Sequence, residues 1–473
     1  MPARLRGVAA AVVVQAAVFV PVALLRFLDG DEGVYAYASR LALHGHLPYG
    51  DFFYEQMPLL PYVYGAWIGI VGESWYGLRL LSALFAVAVG VLLHDHVHRR
   101  LGRAPALAAL VLYASSGLVL AYFTLVKTFA LATLLLFGAY FLAAGAPSSG
   151  RRWIAAGALL GLAVDTRLLF AAGVPSFAVA ATRAARLGRF LLGVGIALVP
   201  SLVLFALHPN AFWFDNVGYH ASKSSGGLVG DLHEKGETAA TLLALEPTDR
   251  ELGLQFLLLT VACAALLAAR ALRVRFPLAL GTAACLGVAC FLPTPTYVQY
   301  FSVLVPFLAV AAAELVTLAG RGPRSLLLLG CLALYLGAGA GAVHRFTRHE
   351  PLLRPSIGSV EAVADHVDEE TSPGERVLSS WPGYLFGTHA RALPDYTNQF
   401  APVAAAGTSA ANARRAHIAS EAELERRIRR REVRFIVYRN WVTAPPYARW
   451  DAALAEGRYR FVAEVSTARL YRR

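Results

Sequence analysis

The chain has 473 residues, of which 57% are hydrophobic and 16% are charged, and its mean hydropathy is +0.52. A soluble protein of this length does not need so much apolar sequence, and the recurring apolar runs of about 20 residues predict transmembrane helices. The formal net charge of +12 comes from arginine clusters between these runs, so it indicates membrane topology and argues against a nucleic-acid partner. The four cysteines lie inside apolar runs as small buried hydrophobes do, which argues against a disulfide framework or a zinc site.

In chain order, the hydropathy pattern predicts about eleven spans. They lie at about residues 8–27, 78–97, 104–124, 128–146, 152–164, 168–182, 187–207, 252–270, 277–292, 298–318 and 325–343. The first run is too long for a signal peptide, so we expect an uncleaved helix. Every second loop is basic, with Arg4 and Arg6, Arg99–Arg103, Arg151 and Arg152, Arg183–Arg189, Arg270–Arg275, and Arg321 and Arg324. The positive-inside rule then places these loops and the N-terminus in the cytoplasm.

Two stretches of the sequence can be divided into membrane spans in more than one way. Residues 58–72 are apolar but short, aromatic and interrupted by Pro61, and counting them as a span would move the Arg99–Arg103 cluster outside. We therefore expect a juxtamembrane or re-entrant helix there. Residues 152–182 are interrupted at Asp165 and Arg167, and two short spans meeting at that point keep both flanking basic clusters inside.

This topology predicts a membrane domain over residues 1–343, with outer loops at 28–77 and 208–251, and a small α/β domain on the outer face over residues 344–473. The C-terminal region is more charged than the rest. Its pattern predicts a helix over Ser359–Glu370 with Ser359 as N-cap, and a strand from Arg376. A charged helix over 421–431 and strands over 433–438 and 459–465 follow.

An acidic pair, Asp31 and Glu32, stands just after the first apolar run. Carboxylates at the edge of a hydrophobic segment are costly beside lipid, and they indicate that a cation, a metal or a polar substrate is handled there. The alternative is that Asp31 only caps the helix that follows, and that Glu32 is a solvated residue of its first turn.

The first loop resembles the GT-C glycosyltransferases, in particular the protein mannosyltransferase and aminoarabinose transferase relatives of bacterial membranes. The resemblance lies in Asp31–Arg40, Gly45–Phe53, Pro58–Tyr62 and Gly77–Arg79, and also in Gln299–Phe301 before a late helix. It implies an inverting transferase that moves a hexosyl or pentosyl group from a polyprenyl-phosphate donor to an acceptor at the outer face of the bacterial inner membrane. The implied acceptor is a lipid, a polysaccharide or a protein.

Such a reaction needs a base for the acceptor and positive charge for the departing phosphate. Asp31 is the candidate base, and Glu32 is a candidate acceptor or metal ligand, with a divalent cation as the one cofactor considered. Glu55 is a candidate for the same cavity. Arg79 either binds phosphate bidentately or extends to the membrane interface. Lys127 is a candidate ligand of the donor phosphate, in a loop where relatives carry an aspartate.

Four further residues are candidates for substrate binding. Arg167 is either a phosphate ligand or the partner of Asp165. His220 and Lys223 stand in an aromatic loop that could cover the cavity or hold the donor lipid. Tyr300 either lines a lipid groove or belongs to an interfacial aromatic belt.

Two other classes of function, and one other motif, remain open at this point. A transporter or flippase also uses many helices and intramembrane charges, although the chain lacks the two matching halves typical of that class. A non-catalytic membrane scaffold is the third reading. The cluster His94, Asp95, His96 and His98 has the side chains of a metal site, but its place beside Arg99 favours an interfacial helix end.

Overall fold

The computed structural model describes residues 3–145, 148–223, 227–270, 273–318, 323–350, 353–439, 450–466 and 468–473. Of the basic residues that set the predicted orientation, Arg321 and the side chains of Arg4, Arg6 and Arg324 lie outside this description. The chain divides into two compact units. The first comprises Met1–Leu24, Ser82–Val199 and Ser224–Phe346, and the second comprises Leu25–Leu81, Pro200–Lys223 and Thr347–Arg473.

Helices are the most numerous elements of both units. In chain order they are α1 (Ala3–Leu25), α2 (Glu32–Leu43), α3 (Leu59–Val71), α4 (Trp75–Leu101), α5 (Arg103–Ala114), α6 (Gly117–Tyr122), α7 (Thr128–Gly145), α8 (Gly150–Thr166), α9 (Val174–Arg183), α10 (Leu187–Leu207), α11 (Pro209–Trp213), α12 (Tyr219–Ser222), α13 (Gly227–Leu242), α14 (Arg250–Ala269), α15 (Pro277–Cys290), α16 (Val305–Ala312), α17 (Pro323–Thr347), α18 (Ile357–Glu370), α19 (Ala401–Ala406), α20 (Ala410–Arg415), α21 (Glu421–Arg429) and α22 (Asp451–Glu456). Short 3-10 or π-helical turns at Leu168–Gly173, Phe214–Gly218, Val298–Leu304, Ala313–Thr317 and Pro382–Leu385 join or extend them.

Seven helical segments are long and apolar enough to cross a membrane, and each coincides with a predicted span. They are Gly7–Leu25, Trp75–Leu101, Thr128–Gly145, Leu187–Leu207, Arg250–Ala269, Val298–Thr317 and Ser325–Thr347. Four shorter apolar segments accompany them in the described chain, at Leu59–Val71, Arg103–Ala114, Leu168–Arg183 and Pro277–Cys290. The predicted α-helical membrane architecture is therefore confirmed, whereas the number of segments that cross the bilayer stays a prediction.

The predicted break near Asp165 is present in the first unit. Helix α8 ends at Thr166, and Arg167 has the extended backbone angles φ −159° and ψ 125°. The 3-10 turn Leu168–Gly173 then leads into α9. An extended residue cannot continue an α-helix, so the stretch forms two short helices.

In the second unit, residues 58–72 form the separate helix α3, which packs closely against α2. Gly65 makes this approach possible, because a Cβ on it would lie 2.7 Å from the Ser39 carbonyl oxygen and 3.3 Å from the Leu43 nitrogen. Helix α3 ends at Gly72, whose φ of +83° favours glycine. The pair α2–α3 fixes the position of the loop between them.

The C-terminal part of the second unit contains a five-stranded mixed sheet with the order β2-β1-β3-β5-β4. The strands are β1 (Arg376–Ser379), β2 (Arg391–Ala392), β3 (Phe435–Tyr438), β4 (Arg460–Val465) and β5 (Ala468–Arg472). Strand β1 pairs in parallel with β2 and β3, whereas β5 pairs antiparallel with β3 and β4. All four residues of β3 are buried, as expected for a central strand.

The predicted α/β character of this region is confirmed, with one local correction. Ser356, not Ser359, caps α18, because the Ser356 hydroxyl accepts from the Ser359 backbone N–H at 3.1 Å. The helix therefore begins at Ile357, two residues earlier than predicted.

Candidate active site

Glu32 and Arg79 form a buried ion pair in the second unit. The two side chains are fully buried. Glu32 lies in the first turn of α2, and its carboxylate accepts from Arg79 Nε at 3.0 Å and from Arg79 Nη2 at 2.5 Å. The guanidinium also donates to the backbone carbonyls of Arg26 at 2.5 Å and Phe27 at 2.9 Å. This bidentate pair ties the start of α2 to the start of α4.

The pair corrects two expectations. Glu32 is not a solvated residue, and Arg79 does not extend to a water interface, because neither side chain is exposed. Both carboxylate oxygens of Glu32 already accept hydrogen bonds from Arg79, and one also accepts from the Asp29 N–H at 3.0 Å. In this arrangement Asp31 and Glu32 do not present two carboxylates to a metal.

Asp31 is the half-buried member of the acidic pair. Its backbone is already helical, at φ −75° and ψ −23°, and its side chain makes no capping hydrogen bond to α2, which is wholly described. The loop before it is fixed by other groups. Trp381 Nε1 donates to the Gly30 carbonyl at 2.7 Å, and Gln399 Nε2 donates to the same oxygen at 3.2 Å. The capping role therefore does not explain this aspartate.

Glu55 is a buried carboxyl near this loop, and it is 5% exposed. Its pKa is raised to about 7, mainly by burial and to a smaller extent by the negative charge of Asp31. A backbone hydrogen bond, the charge of Lys223 and a hydrogen bond from Asn398 act in the opposite direction. The Asn398 Nδ2–Glu55 Oε2 distance is 2.5 Å. Because its pKa lies near neutrality, Glu55 can change protonation in the range where many enzymes act.

Asp215 is a second buried carboxyl beside Glu55, and the sequence analysis did not single it out. It is fully buried, and its Oδ2 accepts from the Tyr54 N–H at 3.0 Å. Its Oδ1 has no hydrogen-bond partner among the described residues. Burial and the neighbouring Glu55 raise the pKa of Asp215 well above its usual value. The only signal in the sequence is an acidic residue inside an otherwise aromatic loop.

His220 and Lys223 lie in the same unit and face this group of side chains. His220 Nε2 lies 2.8 Å from the Glu55 carbonyl oxygen. Lys223 Nζ lies 4.2 Å above the ring of Tyr219 and 5.7 Å from that of Phe400. Six of the predicted residues lie in the second unit. Glu32 and Arg79 form a structural pair, and the other four lie near one another: Asp31, Glu55, His220 and Lys223.

The other three predicted residues lie together in the first unit. Lys127 is 3% exposed, and its Nζ donates to Gln299 Oε1 at 3.0 Å. Arg167 donates to Thr128 Oγ1 at 3.1 Å. Its guanidinium carbon lies 4.8 Å from the ring centre of Tyr300 and 4.9 Å from that of Phe129.

These contacts bear on the two readings of Arg167. Its guanidinium has a hydroxyl and two aromatic rings as partners, and the pairing with Asp165 stays a prediction. Phe129, two residues after Lys127, packs against this arginine. The result is a positively charged side chain flanked by two aromatic rings.

A metal site does not follow from this set of side chains. Among the described residues no group of three or more His, Cys, Asp or Glu converges as metal ligands. Hard divalent cations need several oxygen ligands, and the Glu32 oxygens are already bonded to Arg79.

Comparison with solved structures decides the fold. ArnT from Cupriavidus metallidurans superposes with a TM-score of 0.68 in the apo state and 0.67 when bound to undecaprenyl phosphate, at 16% identity, over 98% of this chain and 97% of ArnT. The chain has the GT-C fold. An oligosaccharyltransferase of Archaeoglobus fulgidus, tethered to an acceptor peptide, matches with a TM-score of 0.53 at 14% identity, over 91% of this chain and 69% of its own.

Sequence comparison agrees with the GT-C fold over part of the chain. Residues 55–213 match the family described as dolichyl-phosphate-mannose-protein mannosyltransferase. No curated protein sequence matches the chain. With its long apolar helices, this GT-C chain is a multi-pass membrane protein.

Proposed function

We propose that the protein is a membrane glycosyltransferase that moves a sugar from a polyprenyl-phosphate-linked donor to an acceptor at the outer membrane face. The observation that carries the proposal is the group of acidic side chains Asp31, Glu55 and Asp215 in a GT-C fold, with Asp31 at the start of α2. The match of residues 55–213 to mannosyltransferases supports the same class, and the undecaprenyl phosphate in the ArnT structure supports the lipid donor.

Asp31 is proposed as the base. In an inverting transfer the acceptor oxygen attacks the anomeric carbon, the bond from that carbon to the phosphate oxygen breaks, and the acceptor proton passes to the base. Asp31 suits this role because its side chain is only partly buried and does not cap α2. Glu32 and Arg79 are then positioning residues, since their buried pair fixes the turn that carries Asp31.

Glu55 and Asp215 are proposed to set the charge of the acceptor side of the site. Their raised pKa values favour the neutral form, so a protonated Glu55 can donate a hydrogen bond to a sugar oxygen, while the buried Asp215 adds no negative charge beside it. Lys223 and His220 are proposed as further substrate ligands on the same loop segment. A neutral Glu55 beside Asp31 also avoids two adjacent negative charges.

Lys127 and Arg167 are proposed as ligands of the donor phosphate. Each is a cation held by a polar side chain, since Lys127 donates to the Gln299 amide oxygen and Arg167 donates to the Thr128 hydroxyl. A guanidinium can bind two phosphate oxygens at once. Tyr300 packs on Arg167 and is proposed to hold it in place while lining the path of the lipid.

The orientation completes the proposal. We place the N-terminus in the cytoplasm and the region 344–473 outside, in the inner membrane of a bacterium, on the basic loops described above. The acceptor is a lipid, a polysaccharide or a protein.

The test uses the purified full chain in detergent with a panel of polyprenyl-phosphate hexoses and pentoses and a membrane extract as the acceptor source. We expect release of free polyprenyl phosphate from one class of donor, and mass spectrometry detects this release. Heat-inactivated protein is the control. No release from any donor by folded protein would contradict the transferase assignment and favour the transporter or scaffold reading.

A further inference from the structure

A large cleft in the first unit has no part in the proposed reaction. Its volume is ≈ 980 Å³, at the upper end of the range of ligand pockets. Valine, leucine, alanine and glycine residues of α1, α5 and α17 form most of its wall, whereas the end of α4 closes one end of it. The sequence motif of His94, Asp95 and His98 supplies that closed end.

The closed end is polar, and several of its groups lack partners. His94 is 5% exposed, and the Nδ1 atoms of His94 and His98 are buried with no hydrogen-bond partner among the described residues. The two rings stack at 5.8 Å between centres. Asp95 is bonded to Arg99, so this carboxylate is largely neutralised. Arg103 lines the same end, and the described residues offer its guanidinium neither a hydrogen bond nor an ion pair.

The length of the cleft matches one leaflet of a bilayer. Its wall on α1 runs from Gly7 to Val18, which corresponds to roughly 16 Å of helix axis. The hydrocarbon core of a bilayer is about 30 Å thick, so a single leaflet is about half of that. Gly7 marks the polar end, because a Cβ on it would lie 3.7 Å from His94 Cε1.

We propose that this cleft binds one membrane lipid with an anionic phosphate head group. Arg103 holds the head beside the rings of His94 and His98, and a hydrocarbon tail lies along α1. Arg103 is also the first residue of the 12-residue helix α5, whose N-terminal N–H groups add to the attraction for an anion. A cleft with one cationic end and a long apolar wall is complementary to an amphiphile, whereas a water-soluble anion would leave the apolar wall unused.

The experiment measures binding of phosphatidic acid to the purified full chain by native mass spectrometry, with phosphatidylcholine as the neutral comparison. Val14→Trp fills the cleft, and Val13→Trp is its control, because Val13 is exposed on the same helix but does not line it. Arg103→Gln removes the cation, and Arg151→Gln removes an exposed arginine elsewhere. We expect Val14→Trp and Arg103→Gln each to weaken phosphatidic acid binding about tenfold, with both controls unchanged.

Each contrary result is decisive. Equal binding by Val14→Trp and Val13→Trp would overturn the cleft as the site of the tail. Loss with Val14→Trp but not with Arg103→Gln would overturn the anionic head group. Displacement of the lipid by millimolar inorganic phosphate would mean that the tail contributes nothing. If Val14→Trp does not fold, Leu107→Trp and the non-lining Leu84→Trp form a second pair of exposed positions. Binding needs neither sugar donor nor acceptor, so it is independent of the proposed transfer reaction.

Discussion

The burial of Glu55 gives the folded protein a specific dependence on pH. Its pKa is about 7 in the folded chain, compared with 4.5 for the free side chain, so the folded state binds the proton more tightly. The protonated Glu55 therefore makes its full contribution to the free energy of unfolding below about pH 4.5. This contribution is lost as the pH rises toward 7, by about 1.4 kcal/mol per pH unit at most.

We predict that Glu55→Gln removes this dependence, because glutamine resembles the protonated acid. The difference in melting temperature between Glu55→Gln and wild type should grow in favour of the variant from pH 5 to pH 8. Glu369→Gln is the control, since Glu369 is an exposed residue of α18. A constant difference across that range would mean that Glu55 is ionised throughout.

Substitutions in the Glu32–Arg79 pair distinguish a structural role of Arg79 from phosphate binding by Arg79. Removing one partner leaves a buried, unpaired charge, which costs about 3–5 kcal/mol, whereas replacing both with apolar residues of similar size costs less. We predict that Arg79→Met lowers the melting temperature strongly and that the added Glu32→Leu substitution recovers part of the loss. A folded Arg79→Met protein of normal stability with a raised KM for the donor would instead make Arg79 a phosphate ligand.

Sequence motifs reveal the candidate site residues that they contain, but they do not reveal residues that only tertiary contacts bring to the site. Asp31 and Glu32 stood out as adjacent acids at the edge of an apolar run. Asp215 did not, because its significance comes from burial and from Tyr54, which is 161 positions away. The pairing of Glu32 with Arg79 was missed for the same reason, since each residue alone is compatible with a surface position.

At the scale of elements, the α2–α3 contact makes a sharp prediction. Gly65→Ala places a Cβ against backbone atoms of Ser39 and Leu43, and backbone cannot rotate away as a side chain can. We expect a loss of about 1–3 kcal/mol in the free energy of unfolding, measured by denaturation in detergent. Gly195→Ala in α10 is the matched control, because a Cβ there meets nothing within 4 Å. Equal effects of the two substitutions would contradict close packing of α2 and α3.

The elements differ in how well the sequence predicts them. Long apolar helices and the strand β3 follow from runs of hydrophobic residues, and the break after α8 follows from polar residues inside an apolar stretch. The two-residue strand β2 and the C-terminal strand β5 were not predicted. Strand β2 is too short for a hydrophobic period. Strand β5 contains Arg469 and Arg472, so its pairing with β3 and β4 is what reveals it.

At the scale of the whole molecule, the second unit joins segments that are far apart in sequence. The Trp381 ring stacks on Trp75 at 5.8 Å, and Arg40 donates to the Leu385 carbonyl at 2.6 Å. Such contacts cross more than 300 positions, so hydropathy and local pattern cannot predict them. What the sequence does predict at this scale is membrane topology, through the alternation of basic loops.

The topology can be tested by cysteine labelling. In a background without the four native cysteines, we expect Ser409→Cys, in the C-terminal region, to react with a membrane-impermeant maleimide in intact spheroplasts. Arg151→Cys should react only after the membrane is permeabilised. The reverse pattern would mean that the protein has the opposite orientation in the membrane, and the proposed reaction would then take place on the cytoplasmic face.

The central claim is that Asp31 is the base of a glycosyl transfer reaction, and the most direct measurement compares Asp31→Asn with Asp29→Asn. Asp29 is the matched control, because it is a half-buried aspartate of the same loop whose Oδ1 accepts from the Asp31 N–H, a bond that asparagine can also accept. With a donor that wild type uses, we predict that Asp31→Asn lowers kcat by roughly 10²–10⁴-fold, while Asp29→Asn stays within a few-fold of wild type. Equal activity of a folded Asp31→Asn protein would contradict the account.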